Sequence, residues 1–246
     1  MDKTKELDEL FIQWEQKLKE SKDIKIYNAV FIKDGIVDCD VFNKQYIKVL
    51  FVSNEANVGE NFNCKNCDIR NDFDFYKSRQ KDEYYNSEIQ KWQPSKGKMR
   101  ERVCCLYQVV INDFSNKNTP YNVAKNFAFM NLNKTGGGAK IDKRIFAFCK
   151  EYKDEIKKEI DIISPDIIIW LGSNTFDNIE LRTDFDVKEH KGKYYCNHIP
   201  VIRMWHTSYY QSKCEKLGVF DNEITDKLSK KLYDELVSIG WYDTKK

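Results

Sequence analysis

Three side chains carry most of the chemical potential of this sequence: Glu55, Asn131 and His206. Each stands at or just beyond the end of an apolar run, where a buried segment has little reason to choose a polar group. A carboxylate such as Glu55 can activate a water or steady a developing cation. A carboxamide such as Asn131 offers a donor and an acceptor side by side and can pair with a heterocycle edge. A neutral imidazole such as His206 can donate a hydrogen bond to an oxygen that gains negative charge. His206 is one of three histidines, and Trp205 and Tyr209 flank it, whereas His190 and His198 sit in a polar stretch and read as surface residues. Ordinary roles stay open for all three: an exposed loop carboxylate, an amide capping a loop, a hydrogen-bonded structural histidine.

The elements that must position them follow from periodicity. Leu7, Leu10, Phe11, Trp14 and Leu18 fall at helical spacing and predict an opening amphipathic helix. Asp34-Gly35 between two alternating apolar runs predicts a hairpin. Four runs of strand length follow: Ile47–Val52, Phe127–Leu132, Ile167–Leu171 and Ile199–Met204. Ile145, Phe148, Cys149, Tyr152, Ile156, Ile160 and Ile163 mark a helix that Pro165 stops. Strand, helix, strand in that order is a βαβ unit with parallel strands. A last helix is expected near Glu223–Val237. The segment 61–126 reads as an elaborated crossover inside one domain covering 1–246.

All four runs end in polar or small residues. Ser53-Asn54-Glu55-Ala56-Asn57 follows the first and Asn133-Lys134-Thr135 with Gly136-Gly137-Gly138 the second. Gly172-Ser173-Asn174 follows the third and Trp205 to Tyr209 the fourth. In open parallel sheets, sites form at the carboxyl ends of strands, so four such ends predict one polar cleft.

Composition narrows the partners. Lys and Arg number 41 against 39 Asp and Glu, so any nucleic-acid contact must come from a local patch. KWQPSKGKMRER, with Lys91, Lys96, Lys98, Arg100 and Arg102 around Trp92, is the strongest candidate, and a solvated loop is the alternative. The charged start and the lack of a long apolar run predict a cytoplasmic protein with no membrane partner. The eight cysteines then read as thiols or ligands. Cys64 and Cys67, in C-x-x-C spacing, could open a zinc site given two further ligands; plain thiols are the other reading, and no cofactor or metal is expected.

In order, the motifs resemble the uracil-DNA glycosylase superfamily, above all its bacterial and archaeal branches. VLFVSNEANVGE is similar to that family's strand followed by Gly-Glu-Ala-Pro-Gly, with Glu55-Ala56 matched and Asn57 at the proline. FAFMNLNKTGGG matches a strand bearing an Asn and then a Lys, at Asn131 and Lys134. EIKKEIDIISPDIIIWLGS follows its helix, proline, strand and Leu-Gly, and WHTSYY stands at its His-Pro-Ser. The likeness spans roughly Tyr27 to Gln211. Members with an iron–sulfur cluster use four cysteines; Cys149 falls at one of those positions and Thr135 stands at another, so no cluster is expected.

The resemblance implies a three-layer α/β/α sandwich around a mainly parallel four-stranded sheet. It implies a monofunctional DNA glycosylase that removes uracil or another modified base, in repair or in defence against phages with modified DNA. Glu55 would serve sugar and water, and His206 the base oxygen. Asn131 would read the flipped base, with Asn57 reshaping the pocket. Phe62, Phe73, Phe75 and Tyr76 are the candidates to stack on that base, Phe62 being the first in the chain. Lys134, Gly136, Gly137, Ser208 and Tyr209 would contact DNA. A catalytically inactive DNA- or nucleotide-binding module of the same fold is the alternative, and a glycosidase of free nucleosides a third.

Overall fold

The computed structural model describes residues 2–21, 31–57, 67–70, 85–86, 91–92, 98–113, 123–137, 144–206 and 221–244. Helix α1 (Lys3–Glu20) opens the chain, with Asp2 as its N-cap accepting from the amides of Thr4 and Lys5. Short strands β1 (Ile32–Lys33) and β2 (Gly35–Ile36) lead to α2 (Cys39–Asn43) and the long β3 (Val49–Asn57). The crossover holds β4 (Cys67–Asp68), β5 (Tyr85–Asn86), β6 (Lys91–Trp92) and α3 (Lys98–Ile111). Then come β7 (Ala128–Gly137), α4 (Arg144–Glu151), α5 (Lys153–Ile163), β8 (Ile167–Leu171), α6 (Ser173–Phe176) and α7 (Ile179–Asp184). Strands β9 (Val187–His190), β10 (Lys193–Cys196) and β11 (Ile199–Met204) precede α8 (Asp221–Ser238) and α9 (Trp241–Thr244).

The fold is mixed α/β. Its main sheet has seven strands in the order β2-β7-β3-β8-β11-β10-β9, not four. The four expected strands form its middle, and β7, β3, β8 and β11 pair parallel to one another. The additions are antiparallel edges: β2 against β7 on one side, and β10 against β11 with β9 against β10 on the other, so that β9, β10 and β11 form a meander. Two-residue turns join that meander. Lys191-Gly192 and Asn197-His198 all have positive φ, as tight hairpin turns require. His190 and His198 are exposed.

Alternate residues of each central strand enter different cores, because successive strand side chains point to opposite faces. Leu50, Val52, Met130, Ile168 and Trp170 pack with α1, α4 and α5 through Phe11, Trp14, Phe148 and Ile156. Val49, Phe51, Phe129, Ile169 and Met204 pack with α3 and α8 through Leu106, Tyr107, Leu228 and Leu232. The helix expected before Pro165 is divided at Tyr152, and Ser164 closes it in the left-handed conformation at φ 51°. None of the described helices is long and apolar enough to cross a membrane.

Asp34-Gly35 does not turn a hairpin. β1 pairs with β4, and β2 pairs with β7. The reason is chemical: Asp34 is fully buried and its carboxylate binds to β7 rather than facing solvent in a turn. Arg102 departs from the proposed basic patch in the same way, being only 3% exposed within α3.

Candidate functional site

Parallel register brings the candidate groups to one end of the sheet. Ser53 lies opposite Asn131 on β7 and opposite Leu171 on β8, and Leu171 lies opposite Met204 on β11. His206 follows two residues after Met204, and its Nε2 stands 3.2 Å from Ser53 Oγ. Ser53 and Asn131 are buried and His206 is half-buried. Burial holds the His206 imidazole below its ordinary pKa, so it is neutral near pH 7.

The next residue of β3 turns the other way. Asn54 Oδ1 accepts from Thr175 Oγ1 at 2.7 Å, and the same hydroxyl oxygen accepts from Trp170 Nε1 at 3.1 Å. Gly172 passes close beneath this chain. A Cβ there would overlap Asn54 Oδ1 and come to 2.9 Å from Thr175 Oγ1. The Leu-Gly at the end of β8 is thus a packing requirement where the ends of β8 and β11 lie against β3.

Asn131 is anchored from the opposite side. Its backbone N–H and its Nδ2 both donate to Asp34 Oδ2, at 2.7 and 3.2 Å. Asp34 Oδ1 is paired with the Lys134 ammonium, which also lies 2.8 Å from Glu159 Oε2. All three side chains are fully buried. Burial drives the Glu159 carboxyl well above the usual carboxylate range; Lys134 pulls it back and Asp34 pushes it up again. Lys134 therefore does not reach a DNA phosphate. Its charge is spent inside the core, where the rings of Phe11 and Trp14 also face it at 5.4 and 5.5 Å.

Glu55 sits on β3 opposite Asn133, and Asn57 opposite Gly137 after a shift in register. Gly136 and Gly137 belong to strand β7, not to a loop. Asn133 Oδ1 accepts from the Thr135 amide at 2.9 Å and its hydroxyl at 2.8 Å, which stiffens the end of β7. Phe62, Phe73, Phe75, Tyr76, Ser208, Tyr209 and Cys64 lie outside the described residues. Cys149, aligned with a cluster ligand in the resembling family, is buried in the apolar core. Among the described residues no group of three or more His, Cys, Asp or Glu side chains is arranged to hold a metal.

Sequence reasoning missed three partners. Ser53 stands out as a polar residue ending an apolar run, but nothing in the sequence pairs it with His206. Glu159 falls on the same stripe as Ile156, Ile160 and Ile163, and an acid there calls for a buried cation. Asp34 was hidden by the turn chemistry of Asp-Gly. Comparison of the chain with protein-family models, curated proteins and solved structures found no match in any of the three.

Proposed function

We propose that the protein is a DNA glycosylase that hydrolyses the N-glycosidic bond of uracil or another modified base. The observation that carries this reading is the meeting of Ser53 with His206, beside Asn131, level with the carboxyl ends of β8 and β11. Breaking the bond from C1′ to the base nitrogen puts positive charge on the sugar and negative charge on the base. His206 donates a hydrogen bond to the leaving base, and its neutral form suits that task without proton transfer. Ser53 sets the orientation of the ring. Asn131 pairs with the base edge, and Glu55, two residues beyond Ser53, serves the sugar and the attacking water. The finer architecture belongs to the same proposal: a three-layer α/β/α sandwich of the uracil-DNA glycosylase kind, with helices on both faces of the four parallel strands in its support.

The test is incubation with single- and double-stranded oligonucleotides carrying uracil or other modified bases, followed by alkali. Strand scission at the modified base, lost in Glu55→Gln and weakened in His206→Asn, is the expected result. Folded protein that leaves every base in place defeats the proposal. Tight DNA binding without an abasic product would instead identify an inactive binding module.

A further inference from the structure

The buried cluster behind Asn131 is unusual for what it contains. Lys134, Asp34 and Glu159 are all fully buried, and each is ionisable. An apolar trio of similar volume commonly stabilises a core as well or better, so stability alone is a poor reason for such a network. The cluster does make one directed connection outside itself. Asp34 Oδ2 receives both the backbone N–H and the side-chain Nδ2 of Asn131. Asn131 is in turn the register neighbour of Ser53, which touches His206.

A carboxylate only accepts hydrogen bonds, so the group that Asn131 turns toward Asp34 must be its NH2. That removes the usual freedom of an amide to exchange its nitrogen and oxygen. Among the described residues nothing donates to Asn131 Oδ1. We propose that Asp34 is the positioning residue of this site: it locks the Asn131 amide so that Oδ1 is presented as an acceptor, and the site selects ligands that bring an N–H to that point. Naming the ligand as a nucleobase rests on the function proposed above; the lock itself does not.

The remaining two ions explain how Asp34 can do this and still be tested. Lys134 is paired with Asp34 on one side and with Glu159 on the other, and Glu159, whose carboxyl is pushed upward by burial, supplies a reserve charge. Asp34→Asn leaves a Lys134–Glu159 pair with no net buried charge, so the fold is retained. The new carboxamide has one acceptor oxygen, which the Lys134 ammonium claims, and Asn131 is released. Glu159→Gln leaves the Lys134–Asp34 pair and the lock intact. The two substitutions each replace one carboxyl of the same cluster by a carboxamide, and only the first touches the partner of Asn131.

The experiment follows the Asn131 side-chain NH2 by NMR in 15N-labelled protein, its signals assigned by their loss in Asn131→Ala. Slow solvent exchange is expected in the wild type and in Glu159→Gln, and fast exchange in folded Asp34→Asn. If cleavage is detected, Asp34→Asn lowers kcat/KM on the order of 10- to 100-fold, as loss of a charge-assisted hydrogen bond predicts, whereas Glu159→Gln is unchanged. A second measurement needs neither catalysis nor a folded variant: titration of the wild type with 1-methyluracil, which keeps one ring N–H, and with 1,3-dimethyluracil, which has none. Perturbation of the Asn131 amide by 1-methyluracil alone supports the proposal. An equal response to both bases, or to neither, overturns the selection of an N–H donor. A protected amide in folded Asp34→Asn overturns the lock. Failure to cleave any base would defeat the glycosylase reading, and the amide and titration results would still decide the role of Asp34.

Discussion

Ser53 Oγ and His206 Nε2 meet at 3.2 Å across 153 residues of chain, spanning the end of the strand that separates them. The contact exists because β8 stops at Leu171, level with Ser53, and lets the segment after β11 fold over its end. Burial keeps the imbalance of protonation in one direction: the folded imidazole has a lower pKa than the reference value of 6.5. Above about pH 6.5 the histidine is neutral in both folded and unfolded chains and its contribution is intact. As pH falls from there toward the depressed folded value, the unfolded chain takes up the proton first and stability is lost. Urea titrations at pH 8, 7, 6 and 5 should show this acid loss in the wild type and a shallower one in His206→Gln. In the cleavage assay, Ser53→Ala should reduce the rate roughly 2- to 10-fold, the worth of one neutral hydrogen bond.

The buried trio gives an opposite pH signature. Glu159 has a raised folded pKa, so its contribution is complete below the ordinary value of 4.5 and declines as pH rises toward the folded one. Glu159→Gln should remove that decline and make the protein less sensitive to alkali in thermal melts. Lys134→Met should do the reverse. It leaves two carboxyl groups without their cation, costs about 3–5 kcal/mol at neutral pH, and is better tolerated at pH 5 than at pH 8.

Gly172→Ala tests the close approach of the end of β8 to β3. Its backbone is extended, so alanine meets no conformational penalty there; the cost is overlap with Asn54 and Thr175. Destabilisation of about 1–3 kcal/mol in denaturant titration is expected. Cleavage should fall as well, because Asn54 adjoins Ser53.

His198→Gly tests whether the meander turn is strained. His198 has φ 72°, a conformation that costs an L residue energy and glycine none. The substitution should raise stability by about 0.5–1 kcal/mol, with base removal unaltered because His198 is a turn residue exposed to solvent.

The central strands were legible because they are short apolar runs bounded by polar residues. β8 and β11 match their expected ranges residue for residue, and β3 and β7 run on past theirs. That extension was hidden because SNEAN and NKTGG are poor strand formers, carried into the sheet by pairing with each other. The edge meander was missed since its residues are mostly polar and its strands show little alternation. Asn131 and His206 could be found as polar groups out of place. The supporting roles of Asp34 and Ser53 could not, because a buried acid in a turn-like dipeptide and a serine in a strand become informative only once the partners across the sheet are known. Lys134 shows the same limit: its place near a strand end is plain in the sequence, and its surroundings are not.

Unequal strand lengths shape the approach to the site. β3 continues four residues past the level where β8 and β11 end, and β7 keeps pace with it to Gly137. At the rise of an extended strand this is a ribbon standing about 13 Å above the rest of the sheet edge. Among the described residues it acts as a parapet beside the ends of β8 and β11. Ser53 and Asn131 lie at the foot of this ribbon, level with the last residues of β8 and β11.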